Sequence, residues 1–508
     1  MNTPADRAIT KNGHPKGLYV LFATEMWERF NYYGMRAVLV LFMTKALLFD
    51  KVFASNLYGS YTSLVFLTPL IGGYVADRYW GNRRSIIAGG LVMAFGEFIL
   101  FFCGSLYQSS PQISGLLFYS GLGFMIAGNG FFKPNISSLV GQLYPKGDRR
   151  IDPAYTIFYM GINVGGALGP FVCGLVGDTG NPADFKWSFL AAGIGMTISV
   201  IVQKIFHHKY VRDPDDNILG LTPGDAPKKF INPVFIVTGL IVMSLSMIAL
   251  VYIDARVFSY LSYLLLASAI FIAAFIYSDK SLTQNDKRRI GVIFIVSFFV
   301  IFFWSAFEQA GASLTFFAEE QTQRDVGFFI VPASLFQSLN SIFIVTLAPL
   351  FAWLWLRLGK YEPASPTKMA WGLFLLAIGY LWIAFGVKEV NANVKVSMIW
   401  LIGMYFLHTC GELCLSPIGL SLVNKLAPFK FASLLMAVWF LANAAANKLA
   451  GILSALYPEK GKTTFFMGYE MHNMHEFFML FVIMSGVASA ILFLITRQLQ
   501  KMMRVGKE

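Results

Sequence analysis

Apolar runs of about bilayer-spanning length fill most of the chain, and short polar segments rich in Lys and Arg join them. About 20 apolar residues cross a bilayer as a helix. The pattern therefore predicts fourteen spanning helices, near 18–48, 54–78, 83–104, 112–142, 153–177, 186–206, 232–253, 258–278, 290–317, 327–356, 369–387, 396–426, 431–456 and 474–497. The longest internal polar stretch, from about His207 to Asn232, carries Asp213-Pro214-Asp215-Asp216 and Pro223-Gly224-Asp225 and reads as a linker. Six spans precede it and eight follow. A faint repeat relates the two sides: Thr68-Pro69-Leu70-Ile71 leads to Asp77-Arg78-Tyr79-Trp80-Gly81-Asn82-Arg83, and Ala348-Pro349-Leu350-Phe351 leads to Leu356-Arg357-Leu358-Gly359-Lys360. Parallel repeats of six helices are one plan for transporters. The expected organisation is a six-helix bundle over 1–206, a linker over 207–231, an inserted helix pair over 232–278 and a second six-helix bundle over 279–508.

Composition agrees with an all-α integral membrane protein. The 508 residues are 56% apolar and 13% charged, where a soluble chain carries about 25% charged residues. The first span holds charges and is followed by no small-residue cleavage site, so it is expected to be a retained helix and not a signal peptide. The net charge of +12 does not form one basic patch. It is spread over short loops, which argues against nucleic acid and for topogenic charge. One set of loops carries Arg78, Arg83, Arg84, Lys146, Arg149, Arg150, Lys209, Arg212, Lys228, Lys229, Lys280, Lys287, Arg288, Arg289, Arg357, Lys360 and Lys368. The opposite set holds little beyond Lys51, Lys186, Arg256, Arg324, Lys388, Lys460 and Lys462. Both termini are therefore expected on the cytoplasmic side. Cys103, Cys173, Cys410 and Cys414 all lie in apolar runs and are expected to be reduced packing thiols.

Charge inside the spans is the informative exception. On a helix of about 100° per residue, Glu25, Glu28, Arg29, Tyr32, Tyr33 and Arg36 fall within an arc of about 140°. A charge at mid-bilayer costs about 2.5–3.5 kcal/mol, so this stripe needs a wet cavity or charged partners. Lys133, Glu308 and Glu412 are further charges deep in apolar runs. Four carboxylates (Glu25, Glu28, Glu308, Glu412) thus face three cations (Arg29, Arg36, Lys133), leaving one surplus negative charge that a proton would neutralise when the surroundings are dry. His408 and Glu412, four residues apart, have the spacing of a metal pair. No third ligand stands near them, so no metal and no cofactor is expected.

Several separated motifs resemble the proton-dependent oligopeptide transporter family, within the major facilitator superfamily. They are Glu25-x-x-Glu28-Arg29-Phe30-x-Tyr32-Tyr33, Gly72-Gly73-Tyr74-Val75-Ala76-Asp77-Arg78 closing with Gly81-Asn82-Arg83-Arg84, and Phe158-Tyr159-Met160-Gly161-Ile162-Asn163-Val164-Gly165. Phe303-Trp304-x3-Glu308-Gln309 and Gly411-Glu412-x3-Ser416-Pro417 follow in the second half. The resemblance covers nearly the whole chain. It implies a major facilitator fold and proton-coupled uptake of di- and tripeptides by a bacterial inner-membrane protein, expected to act as a monomer among membrane lipids. It further implies roles: Glu25, Glu28, Arg29 and Glu308 in proton coupling; Arg36 and Lys133 toward the peptide carboxylate; Glu412 toward its ammonium; Asn163, Asn340 and Ser416 toward its polar backbone; Tyr32, Tyr33, Tyr159, Trp304 and Trp439 as aromatic pocket positions; and Asp77, Arg78 and Arg84 as a conformational latch.

Two positions depart from the family pattern. Phe66 stands where Tyr is common, and Gly59 stands near the coupling histidine of animal members. The rival readings are another solute on the same scaffold, such as nitrate or a peptidomimetic, and a membrane hydrolase built on His408 and Glu412.

Overall fold

The computed structural model describes residues 13–504 apart from 146, 225–226, 228–231, 257–259, 389, 391–393 and 460–461. Of the loop charges used to orient the chain, Lys146, Lys228, Lys229 and Lys460 lie outside the described residues. Each predicted span contains a helix among the described residues. The helices are α1 (Lys16–Lys45), α2 (Lys51–Val75), α3 (Asn82–Leu106), α4 (Pro111–Gln142), α5 (Ile151–Gly177), α6 (Phe185–Tyr210), α7 (Pro233–Arg256), α8 (Tyr260–Tyr277), α9 (Gln284–Phe307), α10 (Ser313–Glu320), α11 (Ser338–Leu358), α12 (Ser365–Gly386), α13 (Met398–Leu426), α14 (Ala432–Ser454) and α15 (Met474–Arg504).

Two spans differ in detail from the expectation. The run 290–317 is broken: α9 ends at Phe307, a 3₁₀ turn occupies Glu308–Gly311, and α10 resumes at Ser313. A break inside a membrane must find other partners for its backbone groups. The Gln309 amide supplies one, donating to the Ser305 carbonyl at 3.0 Å, and ties the break to α14, donating to the Ala450 carbonyl at 3.0 Å while its oxygen accepts from Ser313 Oγ at 2.5 Å and Ser454 Oγ at 2.7 Å. The run 327–356 begins its α-helix only at Ser338, after a 3₁₀ turn over Ala333–Gln337 that follows Pro332.

The chain forms two compact units. The first holds the chain up to Leu48 and Leu64–Ile253; the second holds Phe49–Ser63 and everything from Asp254. Helices α2 and α7 are therefore each divided. In the first unit α1 packs on α5 and α6, and α3 on α4 and α6. In the second, α9 packs on α14 and α15, and α12 on α13 and α15. The two sets share one packing plan, and glycines at matched places make it possible. A Cβ on Gly89 would lie 2.5 Å from the Gly128 carbonyl oxygen, and one on Gly372 would lie 2.8 Å from that of Gly411. Lipid offers no hydrophobic drive between helices, so such close backbone approach is what holds them. Gly128→Val is expected to force α3 from α4 and to cost about 1–3 kcal/mol, read as a fall of several degrees in melting temperature in detergent.

The described part of the linker from Val211 to Thr222 is a folded turn docked on the first unit. Leu219 N–H donates to the Val211 carbonyl at 3.1 Å, and the Asp213 carboxylate accepts from the backbone of Asp215 at 2.9 Å and Asn217 at 2.8 Å. Arg83 N–H donates to the Gly220 carbonyl at 2.9 Å, and Thr222 Oγ1 donates to that of Trp80 at 3.2 Å. Gly81 (φ +76°) admits this approach, because a Cβ there would lie 2.5 Å from the Leu221 oxygen. The four cysteines are free thiols.

Candidate proton and substrate site

In the first unit, α1 presents its acidic stripe to protein. Arg29 Nε lies 2.8 Å from Glu25 Oε1 and 2.9 Å from Glu28 Oε2, and the three side chains are 5%, 3% and 0% exposed. The single Nε hydrogen points to Glu25. The contact with Glu28 is one of charge, and Asn129 Nδ2 adds a longer hydrogen bond to Glu28 Oε1 at 3.4 Å. Arg29 lies over the Tyr32 ring at 5.9 Å and Arg36 over the Tyr33 ring at 5.6 Å, with the two tyrosines edge to face. Lys133, on α4 one residue before Pro134, lies over Phe66 at 4.4 Å. Phe66 is thus the ring that meets this ammonium, and it brings no hydroxyl. Tyr159 and Asn163 are one turn apart on α5, where the Asn163 amide donates to the Tyr159 carbonyl at 2.9 Å.

In the second unit, Glu412 Oε2 accepts from Asn340 Nδ2 at 2.8 Å, and the same amide reaches Thr409 Oγ1 at 3.2 Å. Glu308 is buried in the 3₁₀ turn and lies within electrostatic reach of Glu412. Trp304 packs edge to face against Phe303 and Phe307. Trp439 is buried on α14, and its carbonyl accepts from Asn443 Nδ2 at 2.8 Å. Ser416 lies on α13 with its side chain outside the described residues. Asp77, Arg78 and Arg84 are exposed where α2 passes through a wide turn (Ala76–Trp80) into α3.

The structure adds residues that the sequence reading passed over. Glu97 on α3 is fully buried and accepts from Asn31 Nδ2 at 2.9 Å. Lys448 on α14 pairs with Asp254 at the end of α7 at 2.5 Å, both 2% exposed. Lys51 pairs with Glu320 at 2.5 Å. Glu97 and Lys448 lie inside predicted spans, so the criterion that picked out Glu308 would have found both, while Asp254 lies one residue past a span. The charge count above is corrected accordingly: Asp254 and Lys448 cancel, and Glu97 is one more buried acid. Asn443 is the second-unit counterpart of Asn163, since Tyr159-x3-Asn163 on α5 matches Trp439-x3-Asn443 on α14.

Two sets of long apolar helices packed on one plan, each burying acids and bases, define a secondary transporter. Residues 83–469 match the POT family. The chain is 34% identical over 469 residues to the peptide transporter YePEPT of Yersinia enterocolitica, covering 89% of each. It is 32% identical over 473 residues to a di-/tripeptide transporter of Lactococcus lactis, covering 89% of this chain and 92% of that one. Its fold matches a crystal structure of a peptide transporter POT in complex with alafosfalin, with a TM-score of 0.81, 31% identity and coverage of 98% and 97%. A POT family transporter in complex with 5-aminolevulinic acid matches with a TM-score of 0.80 at 28% identity, over 97% of this chain and 98% of that one. The chain belongs to the POT family of multi-pass membrane transporters.

Proposed function

We propose that the protein takes up di- and tripeptides together with protons by alternating access. The observation that carries this reading is the Glu25–Arg29–Glu28 cluster, one guanidinium held between two carboxylates in a nearly water-free place. Such a cluster holds one carboxylate firmly and the other loosely, so its proton occupancy follows its hydration. The similarity to named di-/tripeptide transporters supplies the substrate class. Loop charge supports a cytoplasmic placement of both termini.

Glu412, oriented by the Asn340 amide, is the proposed acceptor of the peptide ammonium, and Lys133 with Arg36 the proposed holders of its carboxylate. These groups recognise what all short peptides share and leave the side chains unread. Glu412→Gln removes a charge-assisted hydrogen bond of about 1.5–3 kcal/mol. The expected result is a loss of about ten- to hundredfold in apparent affinity for dialanine, with little change for an N-acetylated analogue. Equal loss for both would remove Glu412 from this role.

Energy is sufficient. A potential of about 100 mV gives about 2.3 kcal/mol per proton, and one pH unit adds about 1.4 kcal/mol. Together they support accumulation of several hundredfold. The test is uptake of labelled dialanine into proteoliposomes with and without an acid-outside gradient, competed by unlabelled peptides and other solutes. Gradient-driven accumulation that peptides compete is expected. Uptake indifferent to both gradient and peptides overturns the proposal.

A further inference from the structure

Asp254, Lys448 and Ser60 form a buried cluster within the second unit. Lys448 Nζ donates to Asp254 Oδ2 at 2.5 Å and to Ser60 Oγ at 2.8 Å. Asp254 Oδ1 accepts from the Leu261 backbone N–H at 2.8 Å, so the start of α8 is tied in as well. Ser60 Oγ has one hydrogen and two acceptors in reach, Asp254 Oδ2 and the Asn56 carbonyl at 2.8 Å. Ser60 is fully buried. Next to it α2 meets α14 at backbone distance: a Cβ on Gly59 would lie 2.7 Å from Gly451 Cα, and one on Gly451 would lie 2.6 Å from the Ser55 carbonyl oxygen.

The division of labour is what matters. The ion pair joins the end of α7 to α14, while to this cluster α2 contributes no charge, only a hydroxyl and a glycine face; its one ion pair, Lys51 with Glu320, is partly exposed near the start of the helix. Removing one partner of a buried pair strands the other charge at a cost of several kcal/mol. Withdrawing the hydroxyl with α2 strands no charge, because Asp254 and Lys448 still neutralise one another and the Ser60 hydrogen keeps the Asn56 carbonyl. Contacts of that kind separate at low cost. The rest of α2, from Leu64, belongs to the first unit, and Pro69 interrupts its hydrogen bonding, which gives the helix a place to bend.

We propose that this cluster is a releasable catch for the Phe49–Ser63 half of α2: Asp254 and Lys448 are its fixed part, Ser60 the part that leaves during the transport cycle. The inserted helix pair, α7 and α8, then has a definite task, to supply the acid and its backbone donor. The proposal rests on the alternating-access reading above, but its test does not depend on peptide uptake.

A thiol introduced by Ser55→Cys lies on the same α2–α14 contact and is fully buried while the catch holds. Its labelling by a membrane-impermeant maleimide is followed in nanodiscs, both faces exposed, against the protein without that substitution. Ser60→Ala is expected to raise the labelling rate about fivefold, the worth of one net hydrogen bond. Asp254→Asn with Lys448→Met is expected to raise it at least as much while dialanine binding is kept. Exchanging the charges, Asp254→Lys with Lys448→Asp, is expected to bring the rate back toward the parent's. A rate that stays at the parent's level in both Ser60→Ala and the neutral pair overturns the catch, whatever the uptake shows.

Discussion

Arg29→Met destabilises the protein by about 3–5 kcal/mol, the usual consequence of stranding buried charge, and the further changes Glu25→Gln and Glu28→Gln recover most of that loss. The reason is geometric. Arg29 is the cation that both carboxylates touch, at 2.8 and 2.9 Å, and none of the three side chains is more than 5% exposed. Without the guanidinium, two carboxylates one turn apart are left to repel each other in a medium that solvates neither. Replacing all three with neutral groups of similar size removes the repulsion and the solvation debt together, which is why buried ionic groups contribute little net stability. The measurement is melting temperature in detergent, beside size-exclusion profiles of the parent, the single and the triple variant. The triple variant is expected to fold and to show no response to a pH gradient. A single variant as stable as the parent would mean that Glu25 and Glu28 are neutral in the resting protein and that the cluster is not an ion pair.

The helices were legible because lipid leaves little choice. The apolar runs became helices, twelve of them long and apolar enough to cross a membrane among the described residues, and the stripe on α1 was legible because a 100° periodicity and the cost of bare charge leave such residues few places to go. What was not legible depends on pairing at a distance. The break at Glu308–Gly311 is set by the Gln309 amide meeting Ala450 and Ser454, which lie more than 140 positions away. The deeper repeat was hidden for a similar reason. Gly128-x5-Pro134 and Gly411-x5-Pro417 look unrelated in the chain, and they become equivalent once Gly89 and Gly372 are seen packed against them. The linker is a further case: its acidic Asp-Pro-Asp-Asp run suggests a loose connector, yet Asp213 uses its carboxylate to close a turn whose far end is hydrogen-bonded to Arg83. Lys448 is different: as a lysine in an apolar run it was as legible as Lys133, and only its pairing with Asp254 was hidden.

Glu28→Gln is expected to abolish acceleration of uptake by a pH gradient while leaving exchange of labelled for unlabelled peptide across the membrane. Exchange needs only that the loaded protein face both sides in turn; net uptake also requires a group that takes a proton on one side and gives it up on the other. Of the two acids at Arg29, Glu28 is the better placed for that task. Glu25 receives the Nε hydrogen directly, whereas Glu28 has a charge contact and a hydrogen bond of 3.4 Å from Asn129. It is also the more deeply buried, with no exposed surface. A proton arriving at the cluster therefore displaces the weaker hold and leaves the Glu25–Arg29 pair intact. Glutamine keeps the shape and can still accept from Asn129, but it cannot exchange a proton, so the variant behaves as if fixed in the protonated form. Glu25→Gln frees the Nε hydrogen for Glu28 and is expected to weaken the response to the gradient rather than remove it. Gradient-driven uptake and counterflow, measured on the same proteoliposome preparations, separate the two acids. If Glu28→Gln accumulates dialanine against its gradient as the parent does, Glu28 is not the proton carrier and the coupling lies elsewhere on α1 or in Glu308.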